Sequence, residues 1–172
     1  MTTKRILLIP LLLTSVIFGC SKKENNSSPE NKSSPASSTS SANDLPSMTL
    51  NMIDGSQVQA KALTGSTIII LFQPDCDHCQ REAQAIKENV KSFQNYTLYF
   101  VSAATVPELE AFARQYELRD LTNVHFGNTD AQNIYDNFGS IPAPSLYVYN
   151  NLGKLVTKFN GETDIAEILK SI

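Results

Sequence analysis

Apolar positions divide the chain into three stretches. A run from Ile6 to Phe18 follows the basic pair Lys4 and Arg5. From Ser21 to Asp44 the residues are mostly Ser, Asn, Lys, Glu and Pro, with almost nothing apolar. From Leu45 onward apolar residues return with regular spacing. There, Met48 to Ile53 and Gln57 to Ala60 flank Asp54-Gly55, a dipeptide suited to a tight turn, and predict a hairpin. Thr67 to Phe72 is an unbroken apolar and β-branched run, as in a strand buried on both faces.

After Gln73, Pro74 and Asp75 the period changes. Cys79, Ala83, Ile86, Val90 and Phe93 recur at steps of four and three and mark one face of a helix. Tyr96 to Val101 reads as a strand, and Thr105 to Leu118 as a helix opened by a Thr105/Glu108 capping box. Asn123 to Phe126 is a short strand, and Asp130 to Phe138 a short helix stopped by Gly139. Strands at Ser145 to Tyr149 and Lys154 to Phe159 and a helix from about Thr163 to Ile172 complete the chain. The order ββ-β-α-β-α-β-α-β-β-α predicts an α/β fold, a mixed central sheet flanked by helices. In such folds a site lies beyond the carboxyl end of a central strand.

Composition changes this picture only at the edges. The 172 residues carry a formal charge of −3, and no basic stripe marks a nucleic-acid partner. The first run, with its charged start and small residue Gly19, has the form of a secretory signal and is too short for a comfortable membrane span. Ile17-Phe18-Gly19-Cys20 resembles the end of a bacterial lipoprotein signal, although Phe18 is bulkier than usual there. That resemblance implies cleavage before Cys20, acylation of its thiol and a lipid anchor on the extracytoplasmic, periplasmic side of a membrane. The polar stretch cannot bury enough surface to offset its chain entropy and reads as a disordered tether. The expected organisation is a signal over 1–19, a lipidated cysteine and tether over 20–44, and one domain over 45–172.

With Cys20 set apart, Cys76 and Cys79 remain, in Cys76-Asp77-His78-Cys79 between the buried strand and the next helix. A two-residue spacer at a helix N-terminus lets two thiols reach disulfide distance. The first-turn amides and the helix dipole favour a thiolate on the first cysteine. Cys76 is therefore the expected nucleophile and Cys79 the resolving thiol. His78 can lower a thiol's pKa through positive charge or a hydrogen bond, while Asp75 and Asp77 push the other way. A static bridge over so small a loop constrains little chain entropy. A structural zinc site lacks further cysteines, and neither a metal nor another cofactor is expected.

Strand, CxxC and helix together resemble the thioredoxin superfamily, and the domain from about residue 45 is similar to its TlpA/ResA-like envelope branch. That branch overlaps the redoxin and alkyl hydroperoxide reductase grouping. The Asp54-Gly55 hairpin is similar to its N-terminal addition, and the stretch between Ser102 and Ser145 to its central insertion. The resemblance implies thiol–disulfide exchange with extracytoplasmic protein disulfides, dithiols or small thiols, with the domain layout favouring a reductase, and a further redox partner that supplies or accepts electrons. It also implies a cis-proline ahead of the penultimate strand. Ile141-Pro142-Ala143-Pro144 offers Pro142 and Pro144; Pro144 directly precedes the strand and would present the Ala143 backbone to substrate.

Two departures stand out: Asp75 replaces the usual Trp, and no buried acid lies in the strand leading to the motif, so proton handling falls to other groups. A peroxiredoxin-type peroxidase needs a Thr or Ser where Gln73 stands. A copper carrier needs a distant ligand, for which His125 is the candidate beyond the motif.

Overall fold

The structure, a computed structural model, describes residues 42–172. The signal-like segment, Cys20 and the polar stretch through Ser41 lie outside the described residues. Seven strands form one sheet: β1 (Thr49–Met52), β2 (Gln57–Gln59), β3 (Thr67–Leu71), β4 (Thr97–Ser102), β5 (Val124–Asn128), β6 (Ser145–Tyr149) and β7 (Leu155–Asn160). Four helices accompany them: α1 (Asp77–Glu88), α2 (Val106–Gln115), α3 (Ala131–Phe138) and α4 (Ile165–Leu169). None of these is long and apolar enough to cross a membrane.

The strand order is β2-β1-β5-β4-β3-β6-β7. Strands β3, β4 and β5 are parallel, and the outer pairings are antiparallel, so the sheet is mixed as expected. At its centre, β3 explains its own apolar run. Ile68, Ile70 and, just beyond the strand, Phe72 point into a core with α1, α2 and α4. Ile69 and Leu71 point to the other face, where Leu50, Met52, Tyr147 and Tyr149 cover them and Ile134 and Phe138 of α3 pack alongside. Phe72 lies against Phe112 at 4.7 Å and edge-on to Phe100 at 5.6 Å between ring centroids. These aromatic contacts fix the end of β3, from which the cysteine loop departs.

The local signals mostly act where the sequence placed them. Asp54 accepts the Ser56 amide and hydroxyl, and Gly55 takes the positive φ of 87° that the hairpin turn needs. The Thr105 amide and hydroxyl both donate to Glu108, opening α2. Gly139, at φ 75°, ends α3.

Several boundaries differ: α2 ends at Gln115 rather than Leu118, and β5 runs on to Asn128. Helix α1 stops at Glu88, and Val90–Phe93 forms a tighter 3-10 turn that buries Phe93 but leaves Val90 partly exposed. The last helix spans only Ile165–Leu169, because Asp164 caps it on the Ala166 amide. The domain also begins before Leu45. Ala42 and Asp44 accept hydrogen bonds from Lys154 and Leu155, so residues that composition assigned to the tether already pack on the β6–β7 turn.

Candidate active site

Cys76 is the N-cap of α1, with extended backbone angles that turn the chain from the β3 loop into the helix. Its carbonyl accepts the Gln80 amide, so the helix starts immediately behind the thiol. The side chain is partly exposed, and its Sγ lies 3.7 Å from the Ala143 carbonyl oxygen. The Ala143–Pro144 peptide bond is cis, the only cis bond among the described residues. Pro142 instead uses its carbonyl to accept the Ser145 hydroxyl at 2.6 Å.

Cys79 is the opposite kind of thiol. It is 2 % exposed and faces the core among Ala83 and Ile86. Burial pushes its pKa up to about 12. The Gln73 amide, which donates to its Sγ at 3.5 Å, opposes that rise only in part. Hydrogen bonding and charge from Cys76 add to it, as does the charge of Glu82. Both cysteines are free thiols.

Glu82 is the group the sequence reading missed. It lies one helical turn after Cys79 on the same face and is 3 % exposed. Its Oε2 accepts the Thr163 amide at 3.3 Å, whereas its Oε1 is buried without a partner. Burial raises its carboxyl to about 7, with a smaller contribution from the charge of Glu162. The signal was available: positions 79, 82, 83 and 86 form the i, i+3, i+4, i+7 stripe of the buried face. The buried acid of this site thus stands on α1 rather than in the preceding strand.

His78 does not face inward. Its side chain is 62 % exposed, and Nδ1 lies 2.6 Å from Glu162 Oε2 and 2.7 Å from an Arg81 guanidinium nitrogen. Protonated, Nδ1 donates to Glu162; unprotonated, it accepts from Arg81. Arg81 grips Glu162 with both ends, at 2.7 Å to Oε1 and 2.6 Å to Oε2. These donors hold the Glu162 carboxyl at about 2. Asp77 stays exposed in the first turn, where its charge reinforces that of Arg81.

Beside the cysteine loop, Gln73, Pro74, Asp75, Ala103, Ala104 and Glu108 line a cavity of about 300 Å³. His125 is not brought to the cysteines. It lies near the start of β5, at the end of the parallel strands away from them, stacked on Tyr99 at 5.1 Å between ring centroids.

Residues 42–158 match the AhpC/TSA family. Among solved structures, a secreted Mycobacterium tuberculosis disulfide oxidoreductase, described as homologous to E. coli DsbE, is 18 % identical with a TM-score of 0.62. That match covers 73 % of this chain and 93 % of the other. A thioredoxin-like protein from Porphyromonas gingivalis is 23 % identical with a TM-score of 0.61, covering 74 % and 88 %. StoA from Bacillus subtilis is 13 % identical with a TM-score of 0.56, covering 72 % and 93 %. No curated protein matches the chain at a significant level. At these identities the neighbours establish the fold, which is thioredoxin-like.

Proposed function

The chain belongs to the AhpC/TSA family, and we propose that it works in the bacterial envelope as a thiol–disulfide oxidoreductase, reducing extracytoplasmic disulfides through Cys76 and Cys79. The observation that carries this reading is the asymmetry of the two thiols. One is partly exposed at a helix N-terminus beside the Ala143 carbonyl; the other is buried behind it next to a buried acid.

The steps follow from that asymmetry. The Cys76 thiolate attacks one sulfur of a substrate disulfide, and the second substrate sulfur leaves as a thiolate that takes a proton from water. The substrate segment lies along Ala143, whose amide is left to pair with an extended chain while its carbonyl faces Cys76. The cavity at Pro74 and Ala104 seats a neighbouring side chain. Once Cys76 is bonded to substrate, its own charge and hydrogen bond no longer hold the Cys79 proton. Glu82 then accepts that proton, having a carboxyl that titrates near neutral pH and lies one turn away. The Cys79 sulfur attacks Cys76, the first substrate sulfur leaves, and a Cys76–Cys79 disulfide remains. A dithiol partner of the envelope returns two electrons and two protons to it.

The reducing direction is supported by His78. A strong oxidant owes its potential to a stabilised thiolate in the reduced form. Here Nδ1 of the imidazole is taken up by Glu162 and Arg81 on the exposed side of α1. The envelope placement rests on the signal-like segment ahead of Cys20, whose lipidation would anchor the domain to a membrane. Asp77 tunes the site through Arg81.

The reading is tested by following insulin disulfide reduction with dithiothreitol as electron source. Cys76→Ser is expected to lower the rate to that of dithiothreitol alone. A Cys76→Ser protein that retains the wild-type rate overturns the assignment.

A further inference from the structure

Three parts of the site converge on a segment outside the cysteine motif, the loop Gly161–Asp164 between β7 and α4. The Gly161 amide donates to the Pro144 carbonyl at 2.8 Å. The Thr163 amide donates to Glu82. Between them, the Glu162 carboxylate is gripped by Arg81 and His78 from the first turns of α1. Glu162 itself is only 32 % exposed at its side chain, and it touches neither cysteine directly.

We propose that Glu162, clamped by Arg81 and His78, is a positioning residue that governs Glu82 and so sets the pH at which Cys79 resolves the mixed disulfide. The proposal rests on the exchange mechanism through Cys76 and Cys79. Its physical basis is the isolation of Glu82. One oxygen of that carboxyl is buried without a partner and the other has a single long hydrogen bond, to the very loop that Glu162 fastens down. A loop held in place keeps water from Glu82, and desolvation keeps its proton on.

The charge of Glu162 acts in the same sense. The charged and titratable groups around Glu82 are Cys79 on its own helix and Glu162 from the loop, with Arg81 and His78 reaching it only through Glu162. Asp164, in the same loop, is occupied in capping α4. Removing the Glu162 charge therefore favours the Glu82 carboxylate in three ways. A negative neighbour disappears, the Arg81 guanidinium is released, and the loop loosens enough to admit water.

The proton path balances. Cys79 gives its proton to Glu82 as its sulfur attacks Cys76, and the substrate sulfur leaves with the electron pair of the broken S–S bond. Glu82 later passes the proton to solvent past the loop. Glu162 changes no bond in this sequence; it sets how readily Glu82 ionises before the step.

The test uses the full chain with Cys20→Ser, so that only Cys76 and Cys79 react, reduced, in single turnover with 5,5′-dithiobis(2-nitrobenzoate). Attack by Cys76 releases the first thiol equivalent, and resolution by Cys79 releases the second. In the wild type the second phase is expected to rise through a midpoint near the Glu82 value of about 7. In Glu162→Gln that midpoint should fall by about one pH unit or more. In Glu82→Gln the midpoint should vanish, and adding Glu162→Gln should then change nothing further in the second phase. An unmoved midpoint in Glu162→Gln overturns the proposal, as does a shift that persists in the double variant. Failure of the wild type to release a second equivalent instead overturns the exchange mechanism on which the proposal stands.

Discussion

In a Cys79→Ser protein the exchange reaction is expected to halt at the mixed disulfide. One equivalent of substrate thiol is released, and a covalent adduct through Cys76 accumulates that dithiothreitol cleaves. Turnover falls by at least about 10³-fold, because a thiol held beside the bond acts at an effective concentration far above that of millimolar thiol in solution. The expected outcome follows from the proposed exchange and the placement of the two thiols. Cys79 is buried behind Cys76, and no third cysteine stands among the described residues to replace it. Serine places a hydroxyl in an apolar setting, at a cost of about 1–3 kcal/mol. Cys79→Ala, which introduces no polar group, should trap the same adduct and separates the chemical effect from a folding defect. Mass spectrometry of the intact protein reads the adduct directly. Full turnover in both variants would remove Cys79 from the mechanism.

The second large effect concerns stability and rate together. Glu82→Gln should make the protein more stable at pH 8 while slowing resolution by about 10²–10⁴-fold, the usual contribution of a positioned base. The sign follows from the raised carboxyl. An unfolded chain loses the Glu82 proton near 4.5, whereas the folded protein keeps it to about 7. Between those values the folded state binds more protons than the unfolded one, so stability falls as pH rises. Below 4.5 both states are protonated and Glu82 resembles glutamine. Above 7 the folded protein holds a buried carboxylate, at a cost of about 3 kcal/mol on the scale of 1.36 kcal/mol per pH unit. Urea unfolding of the two proteins should therefore give similar stabilities at pH 4.5 and a gap of about 3 kcal/mol at pH 8. A gap independent of pH would mean that the carboxyl is not held protonated. The destabilisation at working pH has the form expected of a functional group kept at the expense of the fold.

Much of this molecule is written locally in its sequence. The unbroken run Thr67 to Phe72 gives the central strand because both faces of β3 are covered. Asp54-Gly55, Thr105/Glu108 and Gly139 act through neighbours a few residues away and mark their turns and caps accordingly. The cysteine pair is legible for the same reason, as a loop of four residues at a strand-to-helix junction.

What the sequence hides is held by contacts between distant segments. Glu162 lies more than eighty positions from His78 and Arg81, and no local pattern connects them. Their meeting takes His78 away from the role that its place between the cysteines suggested. Glu82 is an intermediate case, since its stripe position predicts burial, but its charge makes it read as part of the polar face. The end of α1 is hidden in the sequence because a 3-10 turn preserves a three-residue step, so Phe93 returns inward after the helix has stopped. His125 has two adjoining aromatic neighbours in sequence and space, Phe126 and Tyr99, and stacks on the second, far from the thiols.

The decisive measurement is a titration of the Cys76/Cys79 pair of the full chain against glutathione or dithiothreitol buffers, with alkylation mapped to those two cysteines by mass spectrometry. The expected result is a reversible two-electron couple that closes a Cys76–Cys79 disulfide, with a potential near the roughly −270 mV of thioredoxin or below it. A potential close to the roughly −120 mV of strong oxidants would contradict the reducing direction. Two thiols that stay free across the whole range would contradict the exchange chemistry itself.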